Sequence, residues 1–160
     1  MEASEKARSD HEGMDLPEPG TRGQISVPET CDKPLSQWTS HDVGREGESL
    51  CVAYLENRGY EVLERNWRCA SGEADVVALD GDALVLVEVK TRLSRKDDDD
   101  TIPELAVDEH KQERYRGIAL TYLAMNPTVH SIRFDVVAIK IVGERCARLR
   151  HLVGAYGWDD

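Results

Sequence analysis

A chain of 160 residues, 40% of them hydrophobic, has room for one modest core and not for two large ones. Its net charge of −11 argues against simple attraction to phosphate, yet the acid is concentrated: residues 1–43 hold 4 basic and 9 acidic side chains, 97–109 hold 7 acidic and no basic ones, and the remainder 16 and 15. The near-neutral body keeps a nucleic-acid partner open, while no apolar stretch approaches the ~20 residues that span a bilayer and no leader is evident, so a soluble cytoplasmic protein without a membrane partner is expected.

Residues 1–40 mix acids, Ser, Pro and Gly without a sustained apolar period, which predicts a disordered acidic tail before a single domain over 41–155 and a short tail at 156–160. A helix is expected from about Gly44 to Arg58, capped by Asp42 and stopped by Gly59. On it Cys51, Val52, Tyr54 and Leu55 form an apolar arc, and Glu48 falls inside that arc. Glu48 is therefore either a first-turn acid complementing the helix dipole or a carboxylate aimed inward for a purpose.

Tyr60–Arg65 reads as a strand, followed by a polar bend over Asn66–Gly72. Glu73–Asp80 and Ala83–Arg92 are β-rich runs about a hairpin turn, and the near-continuous apolar character of the second suits a central strand covered on both faces. The run Asp97–Asp100 reads as a solvated loop. A helix over about Glu104–Met125 follows, with Val107, Tyr115, Ile118, Tyr122 and Met125 on one stripe and Lys111 within it. Ser131–Val142 and Cys146–Leu152 complete the pattern as strands. The expected fold class is α/β, a mixed sheet of about five strands flanked by helices. Cys31, Cys51, Cys69 and Cys146 lack CxxC spacing and read as free thiols, and the five histidines are scattered without the spacing of zinc ligands.

The hairpin acts as a ruler. An even loop leaves Asp75 and Glu88 on one face, directly opposite for a Gly81–Asp82 turn and diagonal for an Asp80–Gly81 turn; an odd loop separates them unless a bulge intervenes. Lys90 follows Glu88 by two and shares its face. Two carboxylates, with the Val89 backbone carbonyl as a further ligand, suit Mg²⁺ or Mn²⁺, and Lys90 would orient water or offset charge building on a phosphate. The plainer reading is a structural ion pair, with Lys90 and Lys111 neutralising Asp75 and Glu88.

The stretch GREGESLCVAYLENRGYEVLERNWRCASGEADVVALDGDALVLVEVKTR, together with AVDEHKQERYRGIALTYL and RFDVVAI, resembles the YraN family of small bacterial proteins over about Gly44–Ile139, roughly 96 of 160 positions. That resemblance implies a restriction-endonuclease-like core similar to archaeal Holliday-junction resolvases, with Asp75 and Glu88-x-Lys90 matching the superfamily's D…ExK catalytic set. It also implies that Glu48 matches the extra acidic residue on the first helix of the resolvase-like branch, catalytic and metal-binding. The chain departs from the family pattern at Ala74, where Ile is usual, and after Arg92, where DDDDTIPEL replaces a short aromatic-glycine patch.

Arg65, Arg68, Arg92 and Lys111, together with Arg95 and Lys96, are candidate nucleic-acid contacts, with Trp67 available to stack on a base. The expected activity is metal-dependent hydrolysis of DNA phosphodiester bonds, with branched or nicked DNA implied only by the resolvase resemblance, as is a homodimer. A non-cleaving nucleic-acid-binding module on the same fold is the alternative, and an interaction protein recruiting partners through its acidic tail is a third reading.

Overall fold

The computed structural model describes residues 22–26, 33–94 and 107–159. In chain order these form β1 (Arg22–Ser26), α1 (Ser40–Asn57), β2 (Glu61–Cys69), β3 (Gly72–Asp80), β4 (Ala83–Leu93), α2 (Glu109–Met125), β5 (Ile132–Gly143) and β6 (Cys146–Tyr156), with a short 3-10 turn at Leu35–Gln37 before α1. The six strands make one sheet in the order β1-β6-β5-β4-β3-β2. Only β4 and β5 are parallel, joined by the crossover that contains α2; the other neighbours are antiparallel. This mixed sheet with helices on both faces is consistent with a restriction-endonuclease-like core, with six strands where five were expected.

The additional strand is β1, which pairs along β6 from Arg22↔Arg150 to Ser26↔Cys146 and sinks Ile25 into the core. It lies within the stretch expected to be a tail, because a five-residue edge strand whose partners are 120 to 128 positions away leaves almost no local signal. Residues 1–21 and 27–32, including Cys31, lie outside the described residues, as do the Asp97–Asp100 run, Arg95 and Lys96. The other end also departs from expectation. β6 runs to Tyr156, which stacks on Phe134; Trp158 packs edge-on against Phe134, and Arg116 donates to the Gly157 carbonyl at 2.9 Å.

α1 starts earlier than expected, because Thr39 is its N-cap. Thr39 and Asp42 exchange hydrogen bonds in a capping box, so Asp42 belongs to the first turn and not to the cap. α1 covers one face of the sheet, where Leu50, Cys51, Tyr54 and Leu55 meet Val76, Val85, Val87, Val137 and Ile139. Tyr115, Ile118 and Tyr122 of α2 cover the other, against Val77, Leu84, Leu86 and Phe134. β4 alternates between the two clusters, as a central strand covered on both sides must. Met125, expected on the buried stripe, ends α2 in solvent. No helix among the described residues is long and apolar enough to cross a membrane.

Two contacts fix where the chemistry-bearing residues fall. Asp80 pairs with Ala83, so the hairpin loop is Gly81–Asp82, with Gly81 in the left-handed region at φ 59°. Gly47 lets α1 lie directly on β4: a Cβ there would stand 1.7 Å from the Thr91 hydroxyl oxygen.

Candidate active site

The two-residue turn sets a register in which Asp75 comes opposite Glu88, but the ladder between β3 and β4 ends one step earlier, at Val76↔Val87. Beyond that point the strands part. Asp75 fills the gap with its side chain, and the Val89 backbone N–H donates to its Oδ2 at 2.8 Å. Of the alternatives left by the hairpin, the Gly81–Asp82 turn is the one adopted.

Glu88 is 5% exposed and is met from α2. The Tyr115 hydroxyl donates to its Oε2 at 2.7 Å, and the Lys111 ammonium pairs with its Oε1. The same hydroxyl lies 3.5 Å from the Asp75 backbone N–H, which ties both acidic positions to one buried ring. Lys111, read from its helical position as inward, does reach the acidic pair. Tyr115 was legible only as an apolar stripe residue, since nothing in the pattern says where its hydroxyl ends.

Burial, and next the neighbouring charge of Glu88, push the Asp75 carboxyl up to about 7 against the lowering effect of the Val89 N–H; Glu48 pushes the same way. Burial and the same two acids hold the Tyr115 phenol well above its ordinary value. An Asp75 carboxyl that resists being charged, with Glu88 at its side and a donor that stays protonated, forms a site where bound positive charge is stabilising.

Glu48 approaches from the α1 face, half-buried, and the Asn66 side-chain amide donates to its Oε2 at 3.1 Å. Among the described residues, no three His, Cys, Asp or Glu side chains gather closely enough to hold an ion by themselves, so Glu48 is near the acidic pair without joining it as a third ligand. Lys90 is half-buried and two residues beyond Glu88, on the same side of β4 by the strand period. The donor set of Asp75, Glu88 and the Val89 carbonyl suits a hard divalent ion that keeps several waters.

The candidate nucleic-acid contacts divide. Arg65 and Arg68 line an open cleft of about 610 Å³ beside Glu48, Arg92 lines a separate hollow near the start of α1, and Lys111 is engaged with Glu88. Trp67 is half-buried and packs edge-on against Tyr122, with ring centroids 5.0 Å apart. The expected bend over Asn66–Gly72 is instead, for most of its length, the continuation of β2 to Cys69, with Asn66 in the left-handed region at φ 50°.

A second polar cluster went unforeseen. Fully buried His151 lies 2.9 Å from Asp135 and 3.2 Å from the Tyr54 hydroxyl, and Arg133 donates twice to Asp135. Burial would raise the Asp135 carboxyl, but the hydrogen bonds from His151 and Arg133 hold it below its ordinary value. These partners come from α1, β5 and β6, and no spacing in the chain announces them.

A family model described as "Uncharacterised protein family UPF0102" matches residues 47–139, a span that contains Glu48, Asp75, Glu88 and Lys90. A UPF0102 protein of Geobacter sulfurreducens is 39% identical over 126 residues, 77% of this chain and 96% of that one. A second, from Thermodesulfovibrio yellowstonii, is 44% identical over 98 residues, 61% of this chain and 85% of its own. A third, from Syntrophus aciditrophicus, is 46% identical over 104 residues, 64% and 80% respectively.

Proposed function

Because this chain belongs to the UPF0102 family, the YraN family that its motifs resemble, we propose that it is a metal-dependent nuclease that hydrolyses DNA phosphodiester bonds. The observation that carries the reading is the gap beyond Val76↔Val87, where Asp75 and Glu88 face each other closely enough for one to oppose ionisation of the other. Such an arrangement is costly in an apo protein and is relieved by a shared cation.

Asp75, Glu88 and the Val89 carbonyl would hold Mg²⁺ or Mn²⁺, with Glu48 adding charge from the α1 side. When bound, the ion would polarise the phosphodiester and lower the pKa of water. Lys90 would orient the attacking water or offset charge building on the phosphate, and Tyr115 fixes Glu88 through its hydroxyl. Branched or nicked DNA is the substrate class suggested by the resolvase likeness, and a homodimer would suit a two-fold junction.

One observation favours the alternative, a module that binds nucleic acid without cleaving it. Both oxygens of Glu88 are already engaged, one by Lys111 and one by Tyr115, which is what a purely structural ion pair requires. The readings part when purified protein is incubated with Mg²⁺ or Mn²⁺ and linear, nicked and four-way-junction DNA. Cleavage that disappears in Glu88→Ala and Lys90→Ala supports the nuclease, binding without cleavage supports the module, and partner capture that depends on residues 1–40 supports an interaction protein.

A further inference from the structure

We infer that the cleft between the N-terminal half of α1 and β2 holds the phosphate backbone of one nucleic-acid strand and leads it past Glu48 to Asp75; this rests on the nucleic-acid reading above and adds a path to it. The cleft, about 610 Å³, has Arg45, Glu48 and Ser49 on its helical wall and Arg65, Asn66 and Arg68 on its strand wall.

Its connection to the acidic pair runs through Asn66. Arg65 pairs with Val76 and Trp67 with Ala74, so Asn66 comes opposite Asp75 in the ladder, while its left-handed backbone accompanies a side chain that donates to Glu48. Asn tolerates that conformation better than most residues, and strained backbone concentrates where geometry is functional. One wall of the cleft is thus stitched to the neighbour of Asp75.

Its charge suits a polyanion. Among the described residues, Arg65 hydrogen-bonds only to the neutral hydroxyl of Ser49, at 3.2 Å, and Arg45 has no ionic or hydrogen-bonding partner. Two guanidinium groups are therefore not neutralised by any ion pair among the described residues. Glu48 and Glu73 also line the cleft, the first held by Asn66 and the second by Arg68.

The opposing groove along α2, about 700 Å³, is a poorer path: its Lys111 is paired with Glu88, and Asp108 and Glu113 offset Arg114. Among the described residues the α1 cleft is lined by no Trp, Tyr or Phe and by one imidazole, His41, so its grip is chiefly on phosphates. Binding through it is independent of sequence.

The test uses the full chain and fluorescein-labelled duplexes of two unrelated sequences, read by anisotropy across a salt series with Ca²⁺ and with EDTA. Arg45→Ala/Arg65→Ala should weaken binding about tenfold or more and lower the log–log salt slope by about two, equally for both duplexes. Arg114→Ala in the opposing groove should leave affinity unchanged, and thermal melts should match the native protein for both variants. Wild-type-like binding by the double variant, or loss in Arg114→Ala, overturns the path while leaving nucleic-acid binding intact. Absence of binding by the wild type under every condition overturns both readings.

Discussion

Tyr115 and Glu88 meet through a 2.7 Å hydrogen bond inside the protein, and the tyrosine holds the acid from the helix that crosses between the two parallel strands. The orientation of Glu88 is therefore set by α2 as much as by β4. Removing only the hydroxyl separates orientation from packing. Tyr115→Phe should cost about 1–2 kcal/mol of stability, because one buried hydrogen bond is lost and the ring remains. It should weaken Mn²⁺ binding about tenfold, as loss of groups that orient ligands does. Isothermal titration of the full chain measures this; an unchanged affinity would assign Tyr115 to the core alone.

Asp75 gives the protein a pH dependence of definite sign. Its folded carboxyl titrates near 7 against 3.8 unfolded, so between those values the folded chain binds more protons than the unfolded one. Metal-free stability should fall as pH rises from about 4 to about 7 and level off above, by an amount on the order of a few kcal/mol. Cation affinity should move oppositely, rising toward pH 8. Urea unfolding at several pH values would display the slope, and Asp75→Asn should flatten it.

Lys111 occupies the place of a positive charge beside Glu88 while being only partly buried itself. Lys111→Met should destabilise the metal-free protein by about 1–2 kcal/mol, less than for a fully buried pair because solvent screens the amine. Saturating Mn²⁺ should erase most of that cost, since the ion would neutralise the same carboxylate. Equal destabilisation with and without Mn²⁺ would make Lys111–Glu88 a structural pair only.

Gly47 tests the seating of α1. Gly47→Ala drives a methyl into Thr91 and should cost roughly 1–3 kcal/mol, with partial recovery in Gly47→Ala/Thr91→Gly. Thermal melts of the two variants compare them directly. Full stability of the single variant would mean that the helix shifts freely and does not fix Glu48.

The particular residues explain what sequence could reveal. Asp75 and Glu88 were legible because a two-residue hairpin converts sequence separation into register, with few alternatives. Glu48 stood out because helical periodicity makes a misplaced acid visible, and inward-facing Lys111 followed from the same rule. Tyr115 did not, since a tyrosine on an apolar stripe satisfies the pattern whatever its hydroxyl does. The Asp135–His151 pair was hidden for another reason: it joins neighbouring strands through side chains, in a register displaced by a bulge between Phe134 and Val136. The continuation of β2 through Asn66 and Trp67 was not legible, because a run of polar residues reads as a bend although a bulged edge strand tolerates the same composition.

The little strand β1 has a practical consequence for anyone trimming the chain. Starting it at residue 33 would strip the cover from β6, leaving its outer backbone amides and carbonyls open and a hole where Ile25 had been. A bare flank of that kind recruits the nearest extended polypeptide, commonly another molecule of its own sort. The shortened version would then be stickier than the original, and clumping in such a sample would report the surgery and not the domain.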